Sequence, residues 1–577
     1  MTELRCWPCE TPAAAHPANL AAMLNGNADR FGDRPIYEEC RDGGLVRLTW
    51  ADLRQAIAKL QRSLAERGLG AGDRVAILSP NRKEMLELEL AVMAMGAVAV
   101  PIFAGYGPEQ ARALVEFCEP RFVAVADAQQ YGKLPTPERY RLIISFDPLA
   151  PGASGNTSTL AELMPASAPG GAIQSAAVEG SSVCLMMYTS GTMGTPKLVQ
   201  LTHANILSQP AALHSVWRLG PDDRFLSYLP WHHSFGGIFE KYSALYNGAL
   251  LALEHGYGRQ LPTLLENWRR VKPTVFFSVP RIYQQLQAQI QQEPALEREI
   301  FHDQLRFVFT AAAPLPQPVA EMFARRHIPV YEGWGLTETS PCCTMTDPAV
   351  PRSRGVVGKP IPGVTLGVDG SGEILVRGPN VMRGYFRNPE ATRQVFRDGW
   401  FATGDIGEFT DAGLRLISRK DRIFKLSNGE KIVATEIERL TAECCSFLSH
   451  VFVTGSGRDA PLMLLFPNKS LLASRPDGSD LTPGCTCPRG VGELAQCLTR
   501  CLNELNGRIG ARYMRPQTAL LADYQLTVEK GELTPTLKLA PHKVAEIFQD
   551  RIEQAYTGSD EEEGAEQDVY ILRLETE

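Results

Sequence analysis

The residues best suited to chemistry form one short stretch, Tyr188-Thr189-Ser190-Gly191-Thr192-Met193-Gly194-Thr195-Pro196-Lys197. Glycines let backbone N–H groups turn toward a ligand, the hydroxyls add donors, and the lysine adds a mobile positive charge. Those types make an oxyanion cradle, and a polyphosphate is the anion that would use so many donors. The Gly-x-x-x-x-Gly-Lys-Ser/Thr spacing of a Walker loop is absent. Composition alone suits an ordinary surface turn equally, so further stretches must decide.

Such a loop needs a strand to hold it, and the apolar run 183–187 supplies one. Upstream, helical spacing at 50–67, 83–95 and 108–118 alternates with apolar strands at 74–78, 98–102, 122–126 and 142–146. That alternation predicts an α/β domain with a mostly parallel sheet covered on both faces. Residues 151–180, rich in Ala, Gly, Ser and Pro, read as a surface connection. A helix at 202–215 and strands at 225–229, 250–253, 275–278, 307–310 and 328–331 continue the pattern. Two of these strands end in Gly and polar residues, Pro230-Trp231-His232-His233-Ser234-Phe235-Gly236-Gly237 and Glu332-Gly333-Trp334-Gly335-Leu336-Thr337-Glu338-Thr339, and the one between them leads into Ala311-Ala312-Ala313-Pro314. Strand ends of this kind are where open α/β sheets bind ligands.

Near 415 the pattern changes. A hairpin turn at 408–414 and a charged run at 418–422 precede a helix opened by a capping box, Thr435 to Glu438. Strands at 450–454 and 462–466 and a helix at 492–505 complete a small α+β domain.

Hydrophobic residues at 44% and charged residues at 21% are those of an ordinary globular protein, and the length implies several domains. The net charge of −7 comes from residues 557–577, which hold eight acidic residues and one Arg. With the body balanced and no basic stripe, nucleic acid is not an expected partner. The tail reads as a solvated, poorly ordered end. Thirteen cysteines without a secretory leader imply a reducing, cytoplasmic setting. Cys6/Cys9 and Cys485/Cys487 lack the second pair that finger spacing requires and read as incidental thiols. The longest apolar run, 90–105, is too short to span a bilayer and contains Pro101.

Five motifs in order, the 189–197 loop, Trp334-Gly335-Leu336-Thr337-Glu338, Thr403-Gly404-Asp405, Arg419-Lys420-Asp421-Arg422 with Lys425 and Gly429, and Leu533 to Lys538, make the chain resemble the adenylate-forming (AMP-binding) superfamily. The resemblance covers about residues 30–548, and Asn428-Gly429-Glu430-Lys431 looks most like the long-chain fatty acyl-CoA synthetases. It implies a large N-terminal domain, 1–420, and a small mobile domain, 421–556, carrying the catalytic lysine and rotating about a hinge at Asp421. An acidic tail follows at 557–577.

The implied chemistry is attack of a carboxylate on the α-phosphate of ATP, loss of pyrophosphate, then displacement of AMP by the thiol of coenzyme A. The alternative acceptor is the phosphopantetheine of an acyl carrier protein. Thr189, Ser190, Gly191, Thr192, Gly194 and Lys197 would hold the leaving phosphates, and Trp334 would stack on adenine with Gly333 and Ala312 beside it. Glu338 would hold Mg²⁺, Thr337 would touch the α-phosphate, and Asp405 would accept both ribose hydroxyls beside Arg419. Lys538 would bring its ammonium to the reacting groups, and Lys425 and Gly429 would line the thiol channel. His233 would gate the carboxylate, with Trp231, Gly236 and Gly237 shaping the acyl pocket.

Each residue also has a plainer reading: Lys538 as a solvated lysine, Trp334 as core, the histidines as loop or core groups, Asp405 as a turn former. Met193 stands where the superfamily usually has a hydroxyl residue, which removes one phosphate donor, and Leu539-Ala540-Pro541 replaces the usual basic continuation after the lysine. Peripheral membrane contact stays open, since acyl substrates partition into bilayers.

Overall fold

Uninterrupted apolar runs bury on both faces, and here they build the centre of two sheets. Val75, Ala76, Ile77 and Leu78 have no exposed surface, and Val98–Ile102 beside them is buried throughout. The computed structural model describes residues 4–8, 11–41, 43–150, 152–153, 155–165, 171–174, 178–189, 197–474, 488–534, 538–557 and 569–575. Ser190, Gly191, Thr192 and Gly194 of the cradle lie outside these, as do Cys9, Cys485, Cys487 and residues 535–537.

The chain divides into two units. The first runs to Thr189, resumes at 197, and takes in Gly407–Leu416; the second holds Gly404–Ile406 and everything from Ile417. In the first unit, an eight-stranded sheet pairs Arg74–Leu78, Val98–Ile102, Phe122–Val125, Leu142–Ser145, Thr157–Thr159 and Val183–Thr189 in parallel, and Lys197–Thr202 and Gly384–Tyr385 extend it antiparallel. A nine-stranded sheet is parallel through Pro35–Arg41, Leu250–Leu253, Arg224–Ser227, Val275–Ser278, Phe307–Thr310 and Val330–Gly335.

Three features depart from the sequence reading. A third, six-stranded sheet joins Arg5–Pro8, Thr365–Val368, Glu373–Arg377, Trp400–Thr410, Phe396–Arg397 and Gly413–Arg419, where only the hairpin turn at 408–414 was expected. The helix predicted to open on a capping box begins at Ala434 instead, and its cap residue Val433 has no side-chain hydrogen bond. Thr435 donates to Ser418 Oγ, and Glu438 accepts from Val453 N and pairs with Arg422, so both side chains are engaged elsewhere. Third, the C-terminal segment is not wholly a solvated tail. Val569–Arg573 is a strand, antiparallel to Thr518–Ala522 at the edge of the small unit's four-stranded sheet. The acidic count concealed its Val-Tyr-Ile-Leu run, in which Leu572 turns into the core.

That small unit packs helices Ala434–Cys444 and Val491–Arg508 on one face of its sheet and Pro541–Ile547 and Gln549–Thr557 on the other. Among the described residues no helix is long and apolar enough to cross a membrane, the cysteines are unbridged, and no three His, Cys, Asp or Glu residues are grouped to hold a metal.

Candidate active site

Local sequence fixes where each candidate side chain stands. In the first unit, Thr189 ends one strand and Lys197 begins the next, directly opposite it in antiparallel register. The Glu332-to-Thr339 stretch was read as the loop after a strand; the strand in fact continues through Trp334 to Gly335. It then reverses through a tight turn, Thr337–Thr339, into the antiparallel strand Cys342–Met345. Gly335 has no room for a side chain, because a Cβ there would stand 1.7 Å from Pro341 O. The turn thus closes only with glycine at that position, and it delivers Thr337 and Glu338 to the strand end.

Glu338 is 9% exposed, and Tyr385 Oη donates to its Oε1 at 2.8 Å. Met382 N donates to the Glu338 carbonyl, also at 2.8 Å. A buried hydroxyl–carboxylate bond contributes about 1.5–3 kcal/mol, against about 1 for a neutral pair. With one carboxylate oxygen tied to Tyr385, the other accepts no hydrogen bond among the described residues and would be the one to meet a ligand. A single hard oxygen donor fits a magnesium ion that keeps its waters and rides on nucleotide phosphates rather than in a protein cage. Lys197 Nζ stands 5.0 Å from the centre of the Tyr385 ring.

Thr337 Oγ1 lies 3.1 Å from Ser234 Oγ, which ties this turn to the segment carrying His233. His233 is partly exposed, and its Nδ1 accepts from Phe235 N at 3.3 Å. His232 is partly exposed as well. Its ring packs 4.6 Å from Phe103, and desolvation of the imidazole, with His233 adding to it, pulls its pKa down to about 3. Trp231 is fully buried against Tyr37 and the Lys241 ammonium, which forms a buried ion pair with Glu89 at 2.5 Å.

Gly236 and Gly237 lie in the π-helical turn Phe235–Glu240, and a Cβ on Gly237 would stand 2.0 Å from Trp231 O. Their smallness therefore lets that helix close onto the preceding backbone. Ala312 is exposed with φ of +77°, a left-handed conformation that costs a non-glycine residue about 1–3 kcal/mol and is typical of ligand-facing strain. Trp334, 8% exposed, belongs to the main apolar cluster, and Gly333 lies against Phe309.

In the second unit, Arg419 Nη1 donates to Asp405 Oδ1 at 2.8 Å, and Gly404 turns with φ of +71° directly under that guanidinium. Asp405 is 8% exposed, a buried carboxylate with its charge matched. Asp421 lies in the short turn Lys420–Arg422, 3.8 Å from Arg419 Nε. Lys425 ends the strand Ile423–Lys425, and Gly429, with φ of +84°, makes the turn to Lys431–Val433. Lys538 keeps exposed surface, and its backbone exchanges hydrogen bonds with Thr534. Desolvation of its ammonium by surrounding protein holds the Lys538 pKa below the ordinary lysine value; Asp405 opposes that shift and Arg419 adds to it.

Three residues escaped the sequence reading. Tyr385 is the hydrogen-bond donor to Glu338, and Ser234 is the link to Thr337. Asn81, 4% exposed, donates to Leu229 O and accepts from Trp231 N, both at 2.8 Å, and so clamps the chain entering His233. An Arg-Gly-Tyr run and a lone Asn after Ser-Pro carry little signal by themselves; their partners lie 47 and about 150 residues away.

The family description of AMP-binding enzymes matches residues 24–386, and that of their C-terminal domain matches 421–481. The long-chain-fatty-acid–CoA ligase FadD15 of Mycobacterium bovis is 28% identical over 606 aligned residues, covering 93% of this chain and 97% of its own. The peroxisomal long chain acyl-CoA synthetase 6 of Arabidopsis thaliana is 28% identical over 88% of this chain and 81% of its own. Among solved structures, ATP-bound MatB from Rhodopseudomonas palustris superposes with a TM-score of 0.73 at 22% identity, covering 93% of this chain and all of its own. The Bacillus subtilis o-succinylbenzoate–CoA synthetase with ATP and magnesium gives 0.69 at 22% identity, covering 90% and 98%. The chain is therefore a member of the AMP-binding enzyme family, an adenylate-forming enzyme close to the fatty acyl-CoA synthetases.

Proposed function

We propose that this protein joins a medium- or long-chain fatty acid to coenzyme A through an acyl-adenylate, with ATP split to AMP and pyrophosphate. The observation that carries the reading is the 3.1 Å Ser234–Thr337 contact. It supports placing the acid-side residue, His233, and the phosphate-side pair, Thr337 and Glu338, around one reacting centre.

In this mechanism Thr189, Ser190, Gly191, Thr192, Gly194 and Lys197 hold the β- and γ-phosphates. Trp334, Gly333 and Ala312 receive adenine, and Asp405, oriented by Arg419, accepts the ribose hydroxyls. Glu338 would hold a magnesium ion, which would supply positive charge to offset that of the triphosphate. His233 orders the carboxylate in the pocket bounded by Trp231, Gly236 and Gly237, and Thr337 orients the α-phosphate. A carboxylate oxygen then attacks phosphorus and pyrophosphate departs. Lys538 supplies positive charge where negative charge accumulates, the main source of rate when no covalent enzyme intermediate forms. The domain from Asp421 then turns, withdrawing Lys538 and presenting Lys425 and Gly429 to the thiol, which displaces AMP. FadD15 and the Arabidopsis synthetase, by their names, support the fatty-acid class of substrate.

The test is pyrophosphate release over saturated acids of graded length, followed by thioester formation with coenzyme A or with a loaded carrier protein. Release confined to fatty acids, with thioester made on coenzyme A, supports the reading. No release with any acid overturns it, and transfer to the carrier alone reassigns the acceptor.

A further inference from the structure

Tyr385 meets two candidate phosphate-handling side chains with two different parts of itself. It lies in the short strand Gly384–Tyr385, antiparallel to Lys197–Thr202, with Tyr385 opposite Val199. Lys197, two residues from Val199, falls on the same face of the sheet, and its ammonium reaches the tyrosine ring at 5.0 Å. At the far end of the ring the hydroxyl donates to Glu338 Oε1 at 2.8 Å. Tyr385 is 5% exposed, so water competes poorly for that bond. Its own position is fixed in turn, since its backbone N donates to Thr392 Oγ1 at 3.0 Å.

We infer that Tyr385 is a positioning residue that sets the Glu338 carboxylate and the Lys197 ammonium in register for a magnesium-bound triphosphate. The inference rests on the ATP-binding reading above and adds to it a residue outside both the cradle and the Trp334–Glu338 stretch. Through the hydroxyl, Tyr385 fixes which way the second carboxylate oxygen faces. Through the ring, it gives the ammonium a place to rest before phosphate arrives. Groups that orient a metal ligand from behind change metal affinity about 10–100-fold when removed.

The two parts separate by mutation. Calorimetric titration of full-length protein with ATP, without and with Mg²⁺, measures metal-free affinity and the gain that metal adds; Mn²⁺ resonance titration reads the ion itself. Y385F keeps the ring, so metal-free affinity should stay within about twofold while the metal-dependent gain falls about tenfold. Y385L removes both parts and should also lower metal-free affinity by about 2–5-fold. Y385F with the full metal gain overturns the inference, as does an equal loss with and without metal. Wild-type protein that binds no ATP under either condition overturns the ATP reading itself, an outcome distinct from a variant that behaves like wild type.

Discussion

The turn carrying Glu338 and the loop ending at Lys538 are held in opposite ways. Around Glu338, Asn380 Nδ2 donates to Thr339 O, Ser340 Oγ donates to Asn380 O, and Thr339 Oγ1 donates to Leu336 O and Pro341 O. Thr339 and Ser340 have no exposed surface. Lys538, by contrast, is an exposed residue; among the described residues its backbone exchanges hydrogen bonds with Thr534, Leu533 bridges Leu539, and Ala540 N donates to Glu532 O. A carboxylate proposed to face phosphate in both half-reactions gains from a setting tied down by so many buried hydrogen bonds. A lysine proposed to serve only one of them has no need of so buried a setting. The contrast predicts that damage to the first region costs stability and activity together, while damage to the second costs activity alone.

The sharpest test is Lys538→Ala. Adenylation should fall about 10²–10³-fold, the usual loss for one preorganised charge, while thiolysis of supplied acyl-adenylate and the melting temperature stay near wild type. Loss of thiolysis alone would show that another lysine serves adenylation.

Rigidity of the large unit is partly electrostatic, and Glu84 tests that part. Burial pushes the Glu84 carboxyl up, but hydrogen bonds from Arg41 and Arg82 outweigh it and hold the pKa at about 2. A depressed carboxyl contributes stability that is complete above the ordinary value of 4.5 and is lost as pH falls toward 2. Glu84→Gln should therefore cost roughly 3 kcal/mol at neutral pH, and the difference from wild type should shrink across that window in denaturant melts.

Asn81→Ala should cost about 2 kcal/mol by leaving two buried backbone groups unpaired. It should also raise the KM for the acid several-fold with the KM for ATP unchanged, because the clamp acts on the chain entering His233. An unchanged KM for the acid would mean that this segment needs no clamp. The smallest effect belongs to the hinge: Asp421→Pro should leave adenylate formation intact and slow thioester formation about tenfold, since a fixed φ restricts rotation. Equal slowing of both steps would remove the hinge from Asp421.

Much of this architecture was legible because buried parallel strands announce themselves as short apolar runs. Arg74–Leu78, Val98–Ile102, Leu250–Leu253 and Val275–Ser278 have the boundaries that periodicity gives. The antiparallel sheet built on Trp400–Thr410 was not, since that strand shows neither a continuous apolar run nor a polar–apolar alternation and carries Gly404 and Gly407. Candidate residues inside a compact motif, such as Thr337 and Glu338, could be named from sequence. Tyr385 and Asn81 could not, because what each does depends on a partner brought near only by the sheets. The Thr435 capping box misled for a related reason: Ser418 and Arg422 compete for its side chains, and no local pattern reveals them.

The strand Val569–Arg573 bears on how the protein can be handled. Trimming the chain at 557, a natural choice for an acidic extension, would strip hydrogen-bonding partners from Thr518–Ala522 and leave that ladder open to any extended peptide. Leu572 and Leu574 would depart from the small unit's core with it. Shortened versions should therefore self-associate.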